Sequence, residues 1–131
     1  MLMPAAVLVV LLLGAIAVDL SIVHLRQREA VAAAASAAND AVTAGLDQAA
    51  LRRGDGYRLD ASRVDQAVAE SIESQGLTDQ LTEAARITMP TPTSVTVEVH
   101  LRAEELFARS LPHGPRITVV RGTATASVQQ R

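Results

Sequence analysis

The chain opens with an almost uninterrupted run of aliphatic residues. From Met1 to Val18 no side chain is charged, and Val7-Leu8-Val9-Val10-Leu11-Leu12-Leu13 is apolar throughout. Asp19 interrupts the run, Leu20-Ser21-Ile22-Val23 resumes it, and Arg26 and Arg28 end it. A bilayer core requires ~20 apolar residues in a helix, and Pro4 to Leu25 meets that length. Pro4 falls in the first turn, where the missing amide would have had no intrahelical partner. Residues 1–25 are therefore expected to be a transmembrane anchor. Two other readings compete with it. A cleaved signal peptide needs a basic start, which is absent, although Gly14-Ala15-Ile16-Ala17 supplies small residues at a plausible cleavage place. A buried core helix needs more surrounding chain than the remainder supplies.

The next segment, 26–51, predicts a continuation of the helix. It contains no Pro, only Gly45 as a breaker, and Ala32-Ala33-Ala34-Ala35 at its centre. Ala is the best intrinsic helix former. Val31, Ala35, Ala38, Val42, Leu46 and Ala49 recur every three or four residues and predict one apolar stripe. Asn39, Asp40, Thr43, Asp47 and Gln48 fall on other faces. The stripe could lie on the protein's own domain, or its small residues could let other helices approach closely. Unbroken from Pro4 to Ala50, such a helix would be ~70 Å long.

Residues 52–131 predict a small domain, so the whole chain reads as α+β: a long N-terminal transmembrane helix, a second helix and a short antiparallel sheet. Arg52-Arg53-Gly54-Asp55-Gly56 is a turn. Asp60 or Ser62 caps a helix with Val64, Ala67, Val68, Ser71 and Ile72 as its buried stripe, and Gly76 stops it. Leu81 to Ile87 is ambiguous and is expected to start as a helical turn and finish as a strand. Pro90 and Pro92 break the pattern afterwards. Val95, Val97, Val99 and Leu101 alternate with Thr96, Glu98, His100 and Arg102, the period of a strand with one buried face. A helical turn is expected at Ala103 to Ser110 and a loop at Pro112-His113-Gly114-Pro115. Ile117 and Val119 begin a last strand facing inward, and Ala124, Ala126 and Val128 continue it in the opposite parity. That switch predicts a β-bulge at Arg121-Gly122.

Composition narrows the function classes. The 131 residues include no Cys and no Trp, one Tyr (Tyr57) and one Phe (Phe107), with 49% hydrophobic residues. A core of small aliphatic side chains buries little area per residue. Without Cys there is no disulfide framework and no thiolate chemistry. The formal charge is −2, and all 12 basic residues are Arg, a balance that argues against nucleic-acid binding. His24, His100 and His113 have no second ligand at helical spacing, so no metal site is expected. Glu104 and Glu105 are adjacent and point apart, which disfavours a paired acid and base. No phosphate-binding glycine loop or nucleophile elbow occurs. Arg52-Arg53 reads as a solvated turn, and the Arg53-Gly54-Asp55 triplet is explained by the same turn. No catalytic residue, cofactor or small-molecule substrate is expected, and the chain does not read as an enzyme.

Asp19 is the one candidate site residue. An acid inside an apolar run costs ~2.5–3.5 kcal/mol at mid-membrane and less near the edge. It is either a hydrated acid at the outer headgroup boundary or a helix-pairing residue that meets an amino terminus or a basic side chain of a neighbouring helix.

The order of these features resembles a known family. Leu11-Leu12-Leu13-Gly14-Ala15-Ile16-Ala17-Val18-Asp19 is followed by Arg26-Gln27-Arg28 and then Ala37-Ala38-Asn39-Asp40-Ala41. This resembles the N-terminal region of TadE/TadG-like proteins of the tight-adherence (Flp) pilus system, over residues 5 to 50. The resemblance implies a pilin-like, membrane-anchored minor pilin or pseudopilin with a structural and interaction role. Its partners would be the lipid bilayer and other pilus or assembly-platform proteins, through helix packing. It also implies that the C-terminal domain lies outside the cytoplasm, whereas Arg26 and Arg28, taken alone by the positive-inside rule, place it in the cytoplasm. Members carry a short basic leader that does not precede the apolar run here, so a start further upstream or dependence on other components is expected. Gly14 and Asp19 have the spacing of a prepilin-peptidase site, but most of the apolar run precedes that cut, so cleavage there is not expected. The alternative is a secreted non-catalytic binding module whose N-terminus is a cleaved signal peptide.

Overall fold

A computed structural model describes residues 2–107, 112 and 117–129. Its elements are helix α1 (Leu2–Ala44), helix α2 (Gln48–Arg53), helix α3 (Ala61–Ser74), a 3-10 turn at Thr78–Gln80, and strands β1 (Arg86–Thr91), β2 (Ser94–Glu104) and β3 (Ile117–Ser127). The architecture is α+β. The strands form one antiparallel sheet in the order β1-β2-β3. The C-terminal half of α1 lies against β2 and β3, and α3 packs on α1.

Helix α1 runs for 43 residues without a break, about 65 Å at 1.5 Å per residue. It stops at Gly45, whose amide still bonds to the Ala41 carbonyl at 2.8 Å. A side chain at Gly45 would overlap that carbonyl and Val64 of α3, so glycine is what allows α3 to close on the end of α1. The expected continuation to Ala50 is therefore replaced by a turn and a separate short helix. Asp47 caps α2 by accepting from the amides of Ala49 (2.9 Å) and Ala50 (3.0 Å), and Gly54 ends it with φ 77°. The turn expected from Arg52 thus begins only after Arg53.

The buried stripe of α1 also differs from the expected one. Ala30, Ala33, Ala34, Ala37, Ala38 and Ala41 are buried, whereas Val31 is 43% exposed and Ala49 is exposed. Residue size decides this phase. The larger Val31 would hold the helix off the sheet, and the alanines let it come close. Gly122 on β3 completes the approach, since a Cβ there would overlap the backbone of Ala30 and Val31.

Helix α3 follows expectation. Asp60 is its cap, accepting from the Ser62 amide (2.9 Å), the Ser62 hydroxyl (2.6 Å) and the Arg63 amide (3.4 Å). These bonds, led by the Ser62 hydroxyl, hold the Asp60 carboxyl below the usual carboxylate range. Val64, Ala67, Val68, Ser71 and Ile72 are its buried residues, and Gly76, with φ 68°, terminates it. The Ser71 hydroxyl donates to Asp40 Oδ2 at 2.6 Å and ties α3 to α1.

In the sheet, Val95, Val97, Val99, Leu101 and Ala103 are fully buried against α1, as the alternation predicts. Strand β2 continues through Ala103 to Glu104, so no helical turn starts at Ala103, and residues 108–110 of that expectation lie outside the described residues. Pro90 lies within β1 instead of ending it. β1 is an edge strand, and Pro90 falls where the register shifts between Thr88 and Thr91, the two settings in which a sheet accommodates proline. The β2–β3 register is regular from Ser94↔Ser127 to Glu104↔Ile117. No bulge occurs at Arg121-Gly122. The parity is even throughout: Val120 and Gly122 face α1, while Ile117 and Val119 are 50% and 51% exposed.

Candidate functional site

The chain's most distinctive surface is the first part of α1. Leu8, Val10, Leu11, Leu12 and Leu13 are all exposed, and Leu2 is exposed at 88%. Side chains this apolar on every face of a helix have no counterpart in a water-facing amphipathic helix. Among the described residues, α1 is the one helix long and apolar enough to cross a membrane, and only 6% of its most apolar window is buried. A core-helix role for this segment is thereby excluded. Residues 2–25 span about 36 Å along the axis, against a hydrocarbon thickness of ~30 Å.

Asp19 marks the place where α1 passes from exposure to packing. It is 9% exposed. Its Oδ1 accepts from the backbone amides of Leu106 (2.9 Å) and Phe107 (3.1 Å), and Oδ2 accepts from Phe107 at 3.2 Å. The acid thus meets two amides of its own chain, just beyond the end of β2. Bonds from N–H groups to an ionised carboxylate are stronger than neutral ones. They hold the β2 end on the helix, 87 residues away in sequence. About two turns further on, Arg26 Nη1 donates to Glu29 Oε2 (2.6 Å) and to Gln80 Oε1 (2.5 Å), and Gln27 Nε2 donates to the Arg121 carbonyl (2.5 Å). The arginine that ends the apolar run therefore serves as a clamp between helix and domain.

The other residues weighed from sequence are scattered. His24 is exposed. His113 lies outside the described residues. His100 is on the sheet face away from α1, yet its side chain is only 15% exposed, with Nδ1 3.0 Å from Glu83 and Nε2 3.3 Å from Glu98. The Leu81–Glu83 segment covers it, with the Thr82 amide bonded to the His100 carbonyl at 3.1 Å. Glu98 at i−2 on the strand was readable as a neighbour, whereas Glu83 was not. Glu105 accepts from the Thr118 hydroxyl at 2.7 Å and does not converge with Glu104. Arg53 pairs with Asp55 at 3.1 Å across the turn, with both side chains exposed. Among the described residues no group of three His, Asp or Glu side chains is placed to hold a metal ion.

Sequence reasoning found Asp19 but missed Leu106 and Phe107, because a backbone amide leaves no trace in residue identity. The available signal was the isolated apolar pair Leu106-Phe107 after an acidic pair. Both side chains are exposed, at 59% and 47%. No protein-family model, curated protein or solved structure matches the chain.

Proposed function

We propose that this protein is a membrane-anchored minor-pilin or pseudopilin-like subunit of a tight-adherence (Flp) pilus assembly or secretion system, with a structural and interaction role. In this reading α1 crosses the membrane once and the α+β domain lies outside the cytoplasm. One observation carries it: a single unbroken helix has an exposed, uncharged and largely aliphatic start, from residue 2 to residue 18, and a second half that forms the spine of a small domain. Such a helix joins a domain rigidly to a bilayer. The Ala-rich face between residues 30 and 41 is occupied by the chain's own sheet and α3. Packing against other subunits then falls to the exposed apolar half.

The competing reading, an exported binding module freed by signal cleavage near Ala17, gains from the small residues at 14–17. The helix runs through those residues and Asp19 without a break, which supports retention. The deciding experiment combines carbonate extraction of native membranes with intact mass. It adds labelling of a single introduced cysteine, Ala49→Cys, by a membrane-impermeant maleimide, since the chain has no other thiol. Retention at full length, labelling from the outer side, and loss of surface piliation on deletion are expected. A soluble, shortened chain would overturn the anchor, and labelling only after lysis would reverse the orientation.

A further inference from the structure

We infer that Leu106 and Phe107 form a second membrane contact, a lipid-inserted tip of the domain held at the interface by Asp19. This deepens the anchored reading above and rests on it. If the hydrocarbon core covers ~20 residues of α1, Asp19 lies within about one turn of its far edge. The amides of Leu106 and Phe107 are bonded to the Asp19 carboxylate, so this part of the backbone sits at the same depth.

Each side of the contact meets a requirement of the other. Non-helical backbone is tolerated at the hydrocarbon edge only where its polar groups are satisfied by protein, and here the carboxylate takes both amides. An acid in an apolar run is tolerated only where it is paired or near the interface, and here the two amides pair it. The side chains attached to that backbone, an exposed Leu and the chain's single Phe, are of the kind that buries in the headgroup–acyl boundary. Leu20 and Ile16, at +1 and −3 from Asp19 on α1, are also exposed, at 65% and 49%. The anchor therefore presents apolar surface at the level of the tip. The occupant is the lipid itself: a water-facing tip would leave this pair exposed beside a lipid-covered helix.

The absence of Trp provides a clean test. Full-length protein carrying Phe107→Trp, and separately Leu106→Trp, is reconstituted in phosphatidylcholine–phosphatidylglycerol vesicles with lipids brominated near the headgroup or deep in the acyl chains. Leu12→Trp serves as the mid-membrane reference and Tyr57→Trp as a reference on the domain, with circular dichroism checking each fold. The Trp at 107 or 106 should emit to the blue of the Tyr57→Trp reference and lose most of its emission to the shallow quencher. The Leu12→Trp reference should respond to the deep quencher. Red, unquenched emission at both 106 and 107, beside a quenched Leu12→Trp, overturns the tip contact and leaves the anchor standing. An unquenched Leu12→Trp overturns the anchored reading, and the tip contact with it.

Discussion

The two halves of α1 are both helical and both rich in apolar residues, yet they meet opposite environments. Leu11 in the first half is 69% exposed, and Ala34 in the second is fully buried. Hydrophobicity alone would bury the leucine first. What separates the halves is side-chain size. The first half presents large aliphatic groups around its whole circumference, and nothing in an 80-residue remainder could enclose them (52–131). The second half has small residues on one face, and a face of alanines allows a sheet backbone to approach a helix backbone closely. Gly122 and Gly45 extend the same principle to the partners, removing the Cβ where the contact is tightest. Bulk thus marks the part of the helix that seeks an external apolar phase, and smallness marks the part that builds the fold.

The sharpest way to break this contrast is to truncate one leucine in each environment. Leu101→Ala removes a fully buried side chain from the β2 face under α1 and should cost about 2–5 kcal/mol of domain stability, read as a lowered urea midpoint in detergent. Leu11→Ala, on the exposed half, should leave that midpoint unchanged. Equal losses would mean that the exposed half also packs on the domain.

Glycines give a second, smaller contrast. Gly122→Ala inserts a methyl group into the Ala30 backbone and should cost about 1–3 kcal/mol through overpacking, seen as earlier proteolysis and a lowered melting temperature. At Gly14 an added Cβ meets nothing within 4 Å, so Gly14→Ala should not lower the melting temperature of the domain. If Gly122→Ala melts like the parent, close approach is not what holds α1 on the sheet.

The smallest effect concerns the cap of α3. The Asp60 carboxyl titrates below its unfolded value because the Ser62 hydroxyl and the Ser62 and Arg63 amides favour its charged form. A depressed folded pKa contributes stability that is present above the unfolded pKa of ~3.9 and lost as pH falls through the folded value. Asp60→Asn keeps a capping oxygen without a titrating charge. The variant should therefore lose less stability than the parent as pH falls below about 4. Identical acid profiles would show that the cap does not couple to the fold.

Much of the packed half was legible because its signals are local. The Val64-Ala67-Val68-Ser71-Ile72 stripe, a cap at Asp60 or Ser62 (the structure gives Asp60), the Gly76 stop and the alternation of Val95 to Leu101 each arise from periodicity or capping within one element. The phase of α1 was misread because hydropathy favours Val31, which is 43% exposed, while packing chose the alanines; Ala38 and Val42 of the expected stripe do pack against the core. The parity of β3 was misread for a related reason. Ile117 and Val119 are the more apolar residues, yet Gly122 must face the helix, and it carries no hydrophobic signal. At the candidate site, Asp19 stood out as a charge in an apolar run. Its partners did not, because two backbone amides 87 and 88 residues away are invisible in a string of side chains.

The distance in sequence between the two sides of the α1–sheet contact has a consequence for synthesis. Gln27 and the Arg121 carbonyl it bonds are 94 residues apart, and translation at ~5–20 residues per second separates their appearance by about 5–20 s. During that interval the helix has left the ribosome while the strand that covers its alanine face does not yet exist. Whatever machinery receives the nascent chain therefore handles the apolar start before the domain has closed around the other end of the same helix.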